Sequence, residues 1–310
     1  MTENYFSGKH FEGFGDKWGA LCCNAEEFLA KNMVQIIQDG SINFKEKING
    51  RNYHSLITNK REPISIITLI EEQKKENEII SFYPKFKGIT TEIRLKDYYQ
   101  WKTIAEGDMA GEIDIEELGL SNINFFNSDY AINVRNFIKD KKVNISLSGL
   151  AFHIEKLEEK EFKVETGGFF DFMKSEFLEK NKDKTEEDFE APIIKLDSEH
   201  FRMFVSSQYT CEYETVGLIE EINYTDFYGT KVAILKVNFS HNNEDEKQFY
   251  LNVYASENVL KDYVPQIGDG ISTVMWLSGY FEEPENENNV HFWRKNILWL
   301  KKRGIKNGQR

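Results

Sequence analysis

The residues of this chain that could do chemistry are three cysteines, six histidines, an acidic run near the middle and a basic run at the end. Cys22 and Cys23 stand just before an amphipathic stretch that opens at Ala25, and a helix N-terminus there would favour thiolate. A thiol nucleophile also needs a positioned imidazole. His10, His54, His153, His200, His241 and His291 are scattered, with none at i+3 or i+4 from another. Buried structural thiols are therefore the reading for Cys22 and Cys23. With Cys211 they form neither a C-x-x-C pair nor an even framework, which points to reduced cysteines and a cytoplasmic location. The run Glu106, Asp108, Glu112, Asp114, Glu116 and Glu117 offers oxygen donors of the kind divalent metals take. It lacks the D-x-[DN]-x-[DN]-G spacing, and the alternation of Asp114 and Glu116 fits one wet strand face. No metal and no cofactor is expected. Gly8, Gly13, Gly15 and Gly19 alternate with Phe6, Phe11, Phe14 and Trp18. No strand precedes them and the G-x-G-x-x-G spacing is broken, so they read as an aromatic arm packed on the body and not as a phosphate cradle.

Charge is the strongest global signal. The chain carries −13 overall, yet Arg294 to Arg310 holds seven basic residues and no acidic one, which leaves −20 on the rest. An acidic body disfavours general nucleic-acid binding. The tail alone combines charge with stacking groups, and its candidate binding residues are Trp293, Arg294, Lys295, Trp299, Lys301, Lys302 and Arg303. No apolar run reaches the ~18 residues of a membrane span, and no signal peptide is visible, so no membrane partner is expected. Absent a Ser/His/Asp set, a Walker loop or zinc spacing, the first expectation is a non-enzymatic binding protein. It would be an immunity or inhibitor-type module whose acidic surface engages a basic protein partner. The alternative is single-stranded nucleic-acid binding through the C-terminal unit and tail, and the third reading is an enzyme of unrecognised type.

The elements that would carry these groups read as α+β, mostly antiparallel β. An N-terminal α+β domain (1–156) has a helix over 25–38, capped by Asn24 with Glu27 three residues on and closed by Gly40. Five short strands follow between Ile42 and Leu95. Asn49-Gly50 marks a hairpin, and Pro84 is expected to end the fourth strand. Asp97 to Ala105 reads as a helix. Residues 157–206 form a charged linker with one helix, and Gly167-Gly168 reads as a joint. Residues 207–302 alternate as a β-barrel domain, and 303–310 form the basic tail.

Two stretches match across the chain. Tyr130-Ala131 with Leu147-Ser148-Gly149 corresponds to Tyr254-Ala255 with Leu277-Ser278-Gly279, in the same order of strand, short helix and strand. This predicts a diverged tandem β unit, with the glycine of each Leu-Ser-Gly at a bend or bulge. The second unit, with a helix between its third and fourth strands, reads as OB-like. Its close, Ile267-Gly268-Asp269-Gly270-Ile271 followed by Trp276-Leu277-Ser278-Gly279-Tyr280, resembles a bacterial family of unknown function that ends on V-G-D-x-I … W-L-x-G. The resemblance spans roughly the last third of the chain, implies the barrel and implies no activity; Gly270 departs from it and predicts local bulging. On the nucleic-acid alternative, truncation after Glu283 should abolish salt-sensitive binding to an oligonucleotide, which a filter-binding series in rising salt would read.

Overall fold

The computed structural model describes residues 5–6, 8–22, 24–73, 77–113, 122–158, 160–163, 168–182, 184–196, 201–240 and 248–282. As expected, the chain is α+β and mostly β. Helix α1 spans Gly15–Leu21 and α2 spans Ala25–Asp39. The start of α2 is set by Asn24, whose side chain accepts a hydrogen bond from the Glu27 amide at 3.1 Å. That satisfies one of the amides a helix N-terminus leaves without an intrahelical acceptor. Gly40 closes the helix in an extended conformation.

Strands β1 (Ser41–Ile48), β2 (Arg51–Thr58), β3 (Ile64–Glu72) and β4 (Asn77–Phe86) form an antiparallel sheet in that order. Asn49 and Gly50 both take positive φ (47° and 84°), the turn that matches the twist of a two-residue hairpin. The apolar run of β3 is buried on both faces. Ile64, Ile66 and Ile67 pack with Trp18, Leu21, Phe28 and Ile36, and Leu69 packs with Phe44, Tyr53 and Ala131. Pro84 does not end β4; it pairs with Ile66 inside the strand. β4 is an edge, where alternate amides have no partner strand, so a missing N–H is tolerated.

The fifth strand of the expected set leaves this sheet. β5 spans Ile89–Gln100 and takes in the first part, 97–100, of the stretch read as a helix over 97–105. Pairing with β6 (Gly107–Glu112) overrides the helical spacing, and turns follow from Trp101 to Ala105. Next come β7 (Ile123–Asn127), the short helix α3 (Tyr130–Asn133) and β8 (Lys142–Lys156). The segment after β8 makes a two-stranded ribbon of β9 (Lys160–Lys163) and β10 (Ile193–Leu196), with α4 (Gly168–Lys180) between them. Phe170 and Phe177 of α4 pack on Phe189 of the same segment. The rest is β11 (Met203–Ser206), β12 (Glu212–Phe227), β13 (Thr230–Asn238), β14 (Tyr250–Ser256), α5 (Glu257–Leu260) and β15 (Gly270–Phe281).

β5 to β8 and β11 to β15 belong to one nine-stranded sheet that pairs back on itself twice, β5 with β8 and β12 with β15. Two closed rings of five strands result: β5-β6-β7-β15-β8 and β12-β13-β14-β8-β15. Each ring has three strands and a final strand of its own, and each borrows the other's final strand. The long strands divide one edge to allow this. β8 pairs with β5 up to Leu147 and with β14 from Ser148 to Leu150. β15 pairs with β12 up to Trp276 and with β7 at Ser278 and Gly279.

The two Leu-Ser-Gly stretches lie at this handover and face each other. Ser148 opposes Ser278, with their hydroxyls 3.2 Å apart, and each leucine opposes the other's glycine. The expectation of a bulge at these glycines is corrected. The register shift between β8 and β15 falls at Val274/Met275, and neither glycine nor Gly270 is displaced from register. The glycines instead make room: a Cβ on Gly149 would stand 2.4 Å from the Met275 sulfur, and one on Gly279 2.9 Å from Ile145 Cγ2. A single core of Leu147, Ile145, Tyr213, Leu235, Val253, Met275 and Leu277 runs through both rings. The sheet and this core thus draw on both the 1–156 and the 207–302 stretches. Residues 1–206 and 207–310 made as separate chains should each lack a cooperative thermal transition, and mixing them should restore one, read by near-ultraviolet circular dichroism.

Candidate functional site

The tail residues Trp293, Arg294, Lys295, Trp299, Lys301, Lys302 and Arg303 lie outside the described residues, as do Cys23, His200, His241, His291, Asp114, Glu116 and Glu117. The remaining histidines have separate carboxylate neighbours: His10 with Asp108, His54 with Glu72 and His153 with Glu155. Among the described residues, no group of three or more His, Cys, Asp or Glu is placed to hold a metal ion. What the fold does bring together is a buried polar seam where the N-terminal arm crosses the first ring, and a cleft beside it.

The arm is fixed by rings and by backbone. Lys9 bridges to the turn at Tyr209, donating to Gln208 O and accepting from the Thr210 amide, both at 2.9 Å. Phe14 stacks on Tyr83 and meets Phe126 and Trp276 edge-on, and Trp18 stacks between Phe28 and Phe82. The His10 imidazole stacks on Tyr99 with centroids 3.5 Å apart, and its Nδ1 lies 3.1 Å from Asp108 Oδ2. Asp108 sits in β6, which is buried on both faces, and is only 3% exposed. Burial raises its pKa, while His10 and the Cys211 thiol pull it back. Cys211 itself, with φ of 67°, is fully enclosed, and burial together with the Asp108 charge pushes its thiol far up, so it is held as an unreactive thiol.

Two residues before Asp108, Glu106 is 2% exposed. It accepts hydrogen bonds from Ser81 Oγ at 2.5 Å and from Thr103 Oγ1. Burial raises it to about 7, against the pull of those two hydroxyls. Glu12 of the arm closes the same corner, accepting from the Lys102 amide at 3.0 Å and from the Tyr99 hydroxyl at 3.4 Å. Glu106 and Asp108, which the sequence shows only as members of an acidic run, are enclosed in the structure, while Asp114 and Glu116, read as a wet strand face, lie outside the described residues. The signal that could have found the enclosed pair is its setting, Ala-Glu-Gly-Asp-Met-Ala-Gly, where small and apolar neighbours mark a strand enclosed on both sides.

Lys17, on α1, is 2% exposed, and its pKa is lowered by burial despite nearby Glu212 and Asp16. Its ammonium lies 4.0 Å from Glu212 Oε1 and over the rings of Phe11, Trp276 and Phe152 at 4.8, 5.6 and 5.7 Å. Above this pair opens a cleft of about 590 Å3 between α1, the end of β8, the start of β12 and α5. Phe11, Asp16, Tyr209 and Glu212 line the arm side, and Phe152 and Lys261 line the other. Glu212 is largely buried, its pKa raised by that burial and by Asp16. Lys17 is the partner of its carboxylate, at 4.0 Å.

Comparison of the chain with protein-family models, with curated proteins and with solved structures finds no match in any of the three. The seam also sets a pH dependence. Between about 4.5 and 7 the folded chain keeps a proton on Glu106 that the unfolded chain releases, so this stabilisation is full below about 4.5 and is lost as pH rises through 7. Glu106→Gln should therefore stabilise the protein by about 1–3 kcal/mol above pH 7, with the gain shrinking toward pH 4.5. Urea unfolding of both forms at pH 5 and pH 8 checks it.

Proposed function

We propose that the chain is a non-enzymatic binding protein whose acidic body engages a basic protein partner, in the manner of an immunity or inhibitor-type module. The observation that supports this most directly is how the buried ionisable groups are employed. His10 with Asp108 and Cys211, and Lys17 with Glu212, tie the arm to the sheet, and Glu106 with its two hydroxyl donors ties the 101–105 turn to β4. Among the described residues these groups do not pair an activated nucleophile with a base. A formal net charge of −20 on the residues before Arg294 gives long-range attraction to a basic surface.

The strand rings support an OB-like reading of both halves. β5-β6-β7-α3-β8 and β12-β13-β14-α5-β15 have the same pairings and the same short helix before the last strand. The matching Leu-Ser-Gly stretches at the handover favour a diverged duplication. OB-like barrels also bind single strands, but the lysines of the second ring are engaged: Lys236 with Glu221 at 2.6 Å, and Lys231 over Tyr224 at 4.3 Å. The acidic-surface reading is the better supported. No described helix is long and apolar enough to cross a membrane.

Immobilised protein should retain basic proteins at about 0.05 M salt and release them as salt rises, because screening weakens such contacts. A capture that enriches no basic chain, together with a monomer in sedimentation, would overturn the proposal.

A further inference from the structure

We propose that the N-terminal arm is a proton-latched strap, seated on the sheet while the Glu106 carboxyl in the seam holds a proton and loosened when that proton leaves. This device is separate from whatever the acidic surface binds, and stands or falls without it. It starts from the way Glu106 is enclosed. Hydroxyls take up both carboxyl oxygens, Oε1 from Ser81 of β4 and Oε2 from Thr103. The charged group that Glu106 feels is another carboxylate, Glu12 of the arm. Tyr83 of β4 also faces it, and Asp108 follows two residues on in β6. The nearby cations are directed elsewhere, His10 to Asp108 and Lys17 to Glu212. An ionised Glu106 would therefore lose its hydration without gaining an ion pair.

Three links carry the state of this carboxyl to the arm and to the helix after it. The Glu106 amide donates to Thr103 O at 2.8 Å and its carbonyl accepts from the Trp101 amide at 3.0 Å, so the 101–105 turn is folded around it. That turn presents the Lys102 amide to Glu12 at 3.0 Å. Ser81 precedes Phe82, whose carbonyl accepts from the Trp18 indole at 2.9 Å and whose ring stacks on it. Asp108 lies opposite Tyr99 and meets His10, which stacks on Tyr99, whose hydroxyl donates to Glu12. Ionising Glu106 sets a third carboxylate beside Glu12 and Asp108 in this corner. The arm is the element that yields. Among the described residues its backbone is bonded to the body at Lys9, whereas β4 and β6 are held along their length by partner strands. Burial and Glu12 raise Glu106 to about 7, and opening the corner to water would return it toward its ordinary 4.5. Release then becomes more favourable as pH rises from about 4.5 to about 7, by up to about tenfold per pH unit, and levels off above that.

The test is amide hydrogen exchange of the full chain at pH 5 and pH 7, with each rate expressed as protection relative to an unstructured chain so that the intrinsic pH dependence cancels. The reporters are the Lys9 and Thr210 amides, which close the bridge between the arm and the body. Their protection should fall about tenfold or more between the two pH values. Their opening should be nearly independent of urea, because a local release exposes little surface. Glu106→Gln should remove the fall, and Glu12→Gln, which takes away the facing charge, should shrink it. Protection unchanged with pH overturns the strap, as does a fall that persists in Glu106→Gln. So does a urea slope equal to that of the Val253 amide in the second ring, which would mean that the arm leaves only when the whole chain unfolds. Should Glu106→Gln not fold, the pH and urea profiles of the unaltered chain decide alone.

Discussion

Everything in the larger sheet depends on one antiparallel pairing, that of β8 with β15. A strand has two edges, and each of these long strands gives one edge wholly to the other. The second edge is shared, half to a strand of its own ring and half to a strand of the other. Ser148 and Ser278 mark where the sharing changes over. Because the side-chain period of a strand is two, a slip of one residue here would turn Leu147 and Leu277 out of the core in both rings together. Gly149 and Gly279 keep that register by leaving room for Met275 and Ile145, where any Cβ would collide.

Against this rigid centre the N-terminal arm is attached in a different manner. Its rings pack on the sheet, but its specificity comes from polar pairing: His10 on Asp108, Glu12 at the 101–105 turn, Lys17 on Glu212. Buried pairs of this kind add little net stability relative to apolar residues, yet they are costly to mismatch. They fix one seating of the arm among many that its aromatic residues alone would allow. The cleft wall inherits that definition, since Phe11 and Asp16 belong to the same segment.

Local physics in this chain was legible and long-range pairing was not. The Asn24 cap and the Asn49-Gly50 turn are written in a few adjacent residues and stand as read. The matching Tyr-Ala and Leu-Ser-Gly stretches were visible too, but nothing in them says that each serves the opposite ring. Strand alternation is identical whichever neighbour accepts the hydrogen bonds. Pro84 and the 97–105 stretch were misjudged for the same reason, because an edge position and a partner strand are properties of the assembled sheet. The seam was hidden by distance along the chain: His10 and Asp108 lie 98 residues apart, and the third member, Cys211, lies farther still.

The borrowing of final strands has a consequence for the order of events during synthesis. By the time Lys156 has emerged, the first ring has all of its own strands and still cannot close, because the strand between β7 and β8, β15, is the last of the described strands to be made. Until Phe281 appears, β7 and the inner edge of β8 offer unpaired amides and carbonyls to any extended chain nearby. Closure then completes two rings in one step, across sequence separations that make it intrinsically slow. The chain therefore passes its most aggregation-prone moment while more than half built, and the ribbon and helix between β8 and β11 determine how long that interval lasts.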